Sequence, residues 1–138
     1  MSHLPLVGGC LCGGVRFEVD GRPLNASYCH CTRCQRRTGT AASAQARFAP
    51  GSLRIVAGED LVRDYAPPDG WVKSFCGTCG SALWSRDAES GMVGIRLGVF
   101  DGEPGIRPEY RQFVAYAAAW EPIPEDGLPR YPDRRPAA

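Results

Sequence analysis

No stretch of this 138-residue chain approaches the ~20 consecutive apolar residues of a membrane-spanning helix, so a helical membrane anchor is not expected. Nor is there an excess of one charge. Lys and Arg number 16, Asp and Glu 15, and the formal net charge is +1. A dedicated nucleic-acid binder carries a strongly basic balance, and this composition points away from one. Met1 to Gly9 has no basic region and no long apolar stretch, so the start does not read as a secretory leader. Long helices are disfavoured too. Gly (17) and Pro (12) together make about a fifth of the chain, against an average of roughly 12%, which favours short strands joined by turns. A complete disulfide framework is also excluded, because seven cysteines leave one over. The length fits one domain over residues 1–138, with a core from about 6 to 131 and a Pro-rich C-terminal tail. The expected setting is cytoplasmic and reducing, with the thiols held on metal.

What the chain does have is clustered cysteine. In Tyr28-Cys29-His30-Cys31-Thr32-Arg33-Cys34, three cysteines fall within six residues. Thiolates this close suit one borderline-soft cation, commonly zinc. Cys29 and Cys31 are two apart, so an extended backbone points both to one face and His30 to the other. Cys34 returns after a two-residue turn. One short loop thus offers three ligands and leaves a fourth position open, which distinguishes a catalytic zinc from a structural one. His30 is open to a role orienting this loop or facing substrate.

Two further pairs complete the count: Cys10-Leu11-Cys12 and Cys76-Gly77-Thr78-Cys79, each flanked by glycines that let backbone approach closely. Spacing alone leaves their assignment open. Cys31 and Cys34 with Cys76 and Cys79 would make a zinc ribbon and orphan the others. Cys10 and Cys12 with Cys76 and Cys79 would make a closed site and leave Cys29, Cys31 and Cys34 as an open one. The second division uses every cysteine and is preferred on that ground. Zinc is therefore expected at up to two per chain.

Alternation predicts strands over Val15–Val19, Leu53–Val56, Leu61–Tyr65, Trp71–Phe75, Ala82–Trp84 and Met92–Phe100, with a last one at Phe113–Tyr116. Residues 1–7 read as a loose start holding a solvated His3. Ala41–Phe48 is strand or irregular. Gln35–Gly39 reads as one helical turn. Residues 121–138 read as a surface-hugging or frayed tail. Trp71, Trp84 and Trp120 are read as core and rim packing.

The chain resembles the glutathione-dependent formaldehyde-activating enzyme family, which also contains centromere protein V. The resemblance is carried by Gly9-Cys10-Leu11-Cys12-Gly13 and by Tyr28-Cys29-His30-Cys31 through Cys34-Gln35-Arg36-Arg37-Thr38-Gly39. Phe75-Cys76-Gly77-Thr78-Cys79-Gly80-Ser81 and Trp120 with Asp126-Gly127-Leu128-Pro129 complete it, in family order. It implies a mainly β, β-tent fold of several small antiparallel sheets with few short helical turns. It also implies structural zinc on Cys10, Cys12, Cys76 and Cys79, and a second zinc on the catalytic Cys29, Cys31 and Cys34. The implied reaction is of the carbon–sulfur lyase type, on a thiol such as glutathione and an aldehyde. Two positions depart from the family pattern. Thr40-Ala41-Ala42-Ser43 lacks an aromatic common after the Thr-Gly, and Arg111 stands near a common histidine.

Arg33, Arg36 and Arg37 flank the three-cysteine loop, and a planar guanidinium suits the carboxylates of such a substrate. Two non-enzymatic alternatives are a zinc module binding a protein partner and a thiol-based metal or redox protein. The sequence leaves the oligomeric state open.

Overall fold

The computed structural model describes residues 4–136, so His3 lies outside the described residues. In chain order the strands are β1 (Leu6–Gly9), β2 (Arg16–Val19), β3 (Asn25–Cys29), β4 (Ser43–Phe48) and β5 (Leu53–Ala57). They continue with β6 (Val62–Tyr65), β7 (Val72–Cys76), β8 (Ala82–Arg86), β9 (Val93–Arg96) and β10 (Tyr110–Gln112). Among the described residues one α-helix, α1 (Thr32–Thr38), follows β3. The expected mainly β class holds. The described residues form two sheets: a three-stranded antiparallel one in the order β1-β2-β5, and a seven-stranded one in the order β10-β3-β4-β9-β8-β7-β6. The larger sheet is mixed, because β10 pairs with β3 in parallel. Among the described residues no helix is long and apolar enough to cross a membrane.

Cross-strand partners share a face, so register decides what each side of the large sheet presents. One row runs Ala26–Ala46–Ile95–Trp84 across β3, β4, β9 and β8, and all four are buried. Phe17 of the small sheet meets Trp84 edge-on at 5.5 Å and Phe100 at 5.8 Å. The core lies here, between the sheets. Each fully buried Phe17, Phe48, Leu83 or Ile95 contributes about 1.5–3 kcal/mol. The other face is polar. Its rows read Cys29–Ser43, then Ser27–Gln45–Arg96, then Arg47–Gly94–Ser85–Lys73. The candidate site is built on this face.

Three sequence expectations change. The start is not loose throughout, because Leu6–Gly9 pairs with Arg16–Val19 and closes the small sheet. The Val93–Val99 alternation does not continue as strand. The chain leaves the sheet in a 3-10 turn at Leu97–Val99, which lets Phe100 bridge to Gly8 and pack on Phe17. The last strand is Tyr110–Gln112 rather than Phe113–Tyr116. Phe113 takes the left-handed region at φ 58°, and a 3-10 turn follows. Ala41–Phe48 resolves as strand from Ser43. The tail hugs the surface: Arg111 N–H donates to Pro129 O and Tyr131 N–H to Arg111 O, both at 2.9 Å.

Candidate functional site

The seven cysteines are free thiols gathered into two groups. Cys10 and Cys12 come from the loop between β1 and β2. Cys76 ends β7, and Cys79 lies in the turn after it. Their sulfurs all lie within 4.8 Å of one another, with Cys10–Cys12 at 3.5 Å and Cys12–Cys76 at 3.9 Å. Four thiolates around a tetrahedral cation with bonds of about 2.3 Å stand about 3.8 Å apart, so the donor set fits such an ion. Val15 N–H donates to Cys10 Sγ at 3.3 Å. The Ser81 hydroxyl, 3.2 Å from Cys79 Sγ, leads the hydrogen bonds that lower the Cys79 thiol to about 5.

Cys29, Cys31 and Cys34 form the second group, again with sulfurs within 4.8 Å. Cys29 is buried at the end of β3. Cys31 caps α1, its Sγ accepting from Cys34 N–H at 3.3 Å. The shared proton interactions split the trio. Cys29 holds Cys31 low, while Cys31 and then Cys34 push Cys29 up. Three sulfurs with an open side fit a cation held by three protein ligands and one exchangeable one.

The open side faces a cavity of about 380 Å³ on the polar face of the large sheet. Arg33 and Arg37 line it. Arg36, the third arginine expected there, is exposed and outside the lining. Lys73, Arg47, Arg96 and Arg134 join instead. Arg37 Nη2 donates to Ser74 O at 3.1 Å and Arg96 Nη1 to Gln45 Oε1 at 2.8 Å. Burial lowers the proton affinity of Arg37, Lys73 and Arg96; the Arg96 charge adds to this at Arg37 and Lys73. Arg47 stacks over Trp71 at 4.9 Å. Of the three tryptophans, Trp84 is core and Trp71 lines the cavity, whereas Trp120 is 67% exposed.

Arg47, Lys73 and Arg96 escaped the sequence reading because each occupies the outward position of a strand, where a charge ordinarily meets solvent, and Arg134 because it lies in the tail after β10. Only the register aligns the strand cations in rows. The signal available beforehand was a charge opposite an apolar face in three separate strands.

His30 points away from the cysteines. It is buried in a second cavity of about 450 Å³, with Nε2 at 3.1 Å from Arg111 Nη1 and Nδ1 unpartnered. Burial, then the Arg111 charge, lowers its proton affinity. Arg111 lies over the Tyr28 ring at 4.1 Å and pairs with Asp126 at 2.9 Å. Ala41 and Ala42 line the same cavity. Both departures from the family pattern therefore lie at this second cavity.

The model of the glutathione-dependent formaldehyde-activating enzyme family matches residues 5–116, a stretch that contains every cysteine. The chain belongs to this family. A Halomonas elongata protein, provisionally named a glutathione-dependent formaldehyde-activating enzyme, is 33% identical over 88 residues. That match covers 59% of this chain and 56% of the other, so the chain spans little more than half the length of that relative. The crystal structure of a Rhodobacter sphaeroides protein matches with a TM-score of 0.59 at 23% identity, over 91% of this chain and 98% of that one. This second likeness speaks to the fold. In this family member the two thiol groups differ: one gathers four sulfurs, and the other, of three, opens on a cationic cavity.

Proposed function

We propose that the protein is a zinc-dependent enzyme of the carbon–sulfur lyase type that joins and separates a small thiol and an aldehyde. Three cysteine sulfurs on the wall of a cavity otherwise rich in cations carry this reading. Family membership supports it, since the family name carries glutathione and formaldehyde. Cys10, Cys12, Cys76 and Cys79 are assigned a structural zinc, and Cys29, Cys31 and Cys34 a second one. When bound, that second zinc supplies positive charge and an open position beside which a thiol ionises or a carbonyl polarises.

The chain's own contribution is to hold and orient. Arg33 and Arg37 bind the anionic end of the thiol and fix its sulfur against the three cysteines. In the forward direction the thiol sulfur forms a bond to the carbonyl carbon. The carbonyl π pair moves to oxygen, and the proton that leaves sulfur ends on that oxygen. The reverse breaks the same bond, and nothing is oxidised or reduced. The α1 backbone and Gln35, whose Nε2 donates to His30 O and Tyr116 O, keep Cys31 and Cys34 in place while this happens. Seven free thiols suit a reducing, cytoplasmic setting. The chain is read as one domain with a core from about 6 to 131, of which the family match covers residues 5–116.

The test is exchange NMR at equilibrium between glutathione, formaldehyde and their adduct, which avoids the fast uncatalysed background. Zinc-loaded protein is expected to accelerate exchange, and Cys31→Ser or chelated protein to lose the effect until zinc returns. Arg37→Ala is expected to weaken a carboxylated thiol more than a neutral one. No acceleration across several thiols and aldehydes by protein carrying two zinc ions would sink the reading.

A further inference from the structure

The cavity is more one-sided than a glutathione-like substrate requires. Arg33, Arg37, Arg47, Lys73, Arg96 and Arg134 line it, and among the described residues no aspartate or glutamate does. Arg33 meets Asp69 at 3.5 Å on the exposed rim. The other five make no ion pair among the described residues. The Nε atoms of Arg37 and Arg96 are buried without a hydrogen-bond partner. Each guanidinium is anchored to protein through a terminal nitrogen, leaving that inner donor free. Buried donors without acceptors are rare in folded proteins and call for a partner.

Charge counting sharpens the point. Three thiolates on one divalent cation carry a net −1, and Asp69 carries another. Four of the six cationic charges remain. Glutathione brings two carboxylates but also an α-ammonium, which would enter a cavity with no carboxylate to receive it. A phosphate monoester carries close to two negative charges and three acceptor oxygens, and arginine is well matched to it.

Position agrees. Cys29 pairs with Ser43, Arg96 with Gln45 two residues along β4, and Gly94 with Arg47 two residues further. At about 3.3 Å per residue, these cation rows lie roughly 7 and 13 Å along the sheet from the cysteine row. Gly94 leaves the floor of the outer row without a side chain, between Arg47 and Ser85. Resting on the reading of this cavity as the thiol site, we propose that its thiol substrate is phosphorylated and lacks an amine, with the phosphoryl group near Arg47, Lys73 and Arg96 and the sulfur at Cys29, Cys31 and Cys34.

Calorimetric titration of zinc-loaded protein, with no aldehyde present, tests this. Four probes are compared: glutathione, its analogue lacking the α-amino group, 4′-phosphopantetheine (a thiol with a phosphate monoester and no amine) and unphosphorylated pantetheine. The phosphorylated thiol is expected to bind at least tenfold more tightly than glutathione, with the deaminated analogue between them and pantetheine weakest. Arg47→Ala and Lys73→Ala are expected to weaken the phosphorylated thiol severalfold or more and to leave pantetheine unchanged. Glutathione binding as tightly as the phosphorylated thiol, or no binding of it at millimolar concentration, overturns the proposal, and the wild-type ranking decides even if a variant misfolds. Preferential binding of the phosphorylated thiol without catalysed exchange would uphold the proposal while defeating the lyase reading. Catalysed exchange with glutathione binding tightest would do the reverse.

Discussion

Gly58 carries two separate demands that no other residue type meets. Its φ is 76°, in the left-handed region, and a Cβ there would stand 2.1 Å from Gly14 O and 2.8 Å from Gly14 C. The first demand costs an L residue about 1 kcal/mol. The second forces two backbone segments apart, and Gly14 lies two residues beyond Cys12. Gly21 separates the two effects, since its φ is 82° but a Cβ would meet nothing within 4 Å. Gly21→Ala is therefore expected to cost about 1 kcal/mol. Gly58→Ala should cost more, about 2–4 kcal/mol, and should release metal preferentially from the four-cysteine group. Thermal melts with a colorimetric chelator read both quantities. Equal melting shifts in the two variants would mean that the Gly14 contact relaxes without cost. The sequence made the glycines beside Cys10 and Cys12 conspicuous. It gave no means of seeing that Gly14 faces a glycine 44 positions away, because such a contact depends on how β2 pairs with β5.

At the scale of the element, α1 shows why part of the site was legible and part was not. Gln35–Gly39 read as one turn ending in glycine, and Gly39 does end the helix with φ 71° and its N–H on Gln35 O at 2.8 Å. The helix starts earlier, at Thr32, because Cys31 Sγ serves as its N-cap. Sequence reading looks for Ser, Thr, Asp or Asn in that position, and a cysteine is silent. Seven residues do not sustain a helix alone, so α1 depends on its anchors. Gln35 Nε2 supplies two, donating to His30 O at 2.8 Å and Tyr116 O at 2.9 Å. Gln35→Ala should cost about 1–2 kcal/mol in stability. Because α1 carries Cys34 and is capped by Cys31, the same change should weaken zinc at the three-cysteine group by roughly tenfold, while the four-cysteine group keeps its metal. Competition against a chelator of known affinity measures this. Unchanged affinity at both groups would show that the loop holds its shape without the Gln35 anchor. The alternation through Val99 misled for a related reason: Phe100 must reach Gly8 in the other sheet, and periodicity does not report where a strand's neighbour sits.

Across the whole molecule, the two cysteine groups connect different things. Cys10 and Cys12 hang from the small sheet, and Cys76 and Cys79 from the large one, with Cys12 and Cys76 64 positions apart. Metal at this group closes a long loop and ties the two sheets at one end of their shared core. Cys29, Cys31 and Cys34 span one turn, so metal there constrains only what β3 and α1 already position. Their local spacing made the cysteines conspicuous in the sequence, whereas the cationic cavity beside them arises from three strands whose register was not readable. The difference in connectivity sets the last prediction. A four-thiolate zinc contributes about 10–16 kcal/mol in small zinc-dependent peptides, comparable to the whole stability of a typical domain at about 5–15 kcal/mol. Removing one of its ligands should therefore unfold the chain or lower its melting point steeply. Protein reconstituted with excess zinc is expected to hold about two ions per chain. Cys31→Ser should keep its circular dichroism and a near-normal melt while falling to about one ion per chain. Cys76→Ser should lose cooperative melting altogether. Equal collapse of both variants would contradict the division. It would point instead to one shared zinc ribbon of Cys31, Cys34, Cys76 and Cys79, an arrangement at odds with the two separate sulfur groups in the fold.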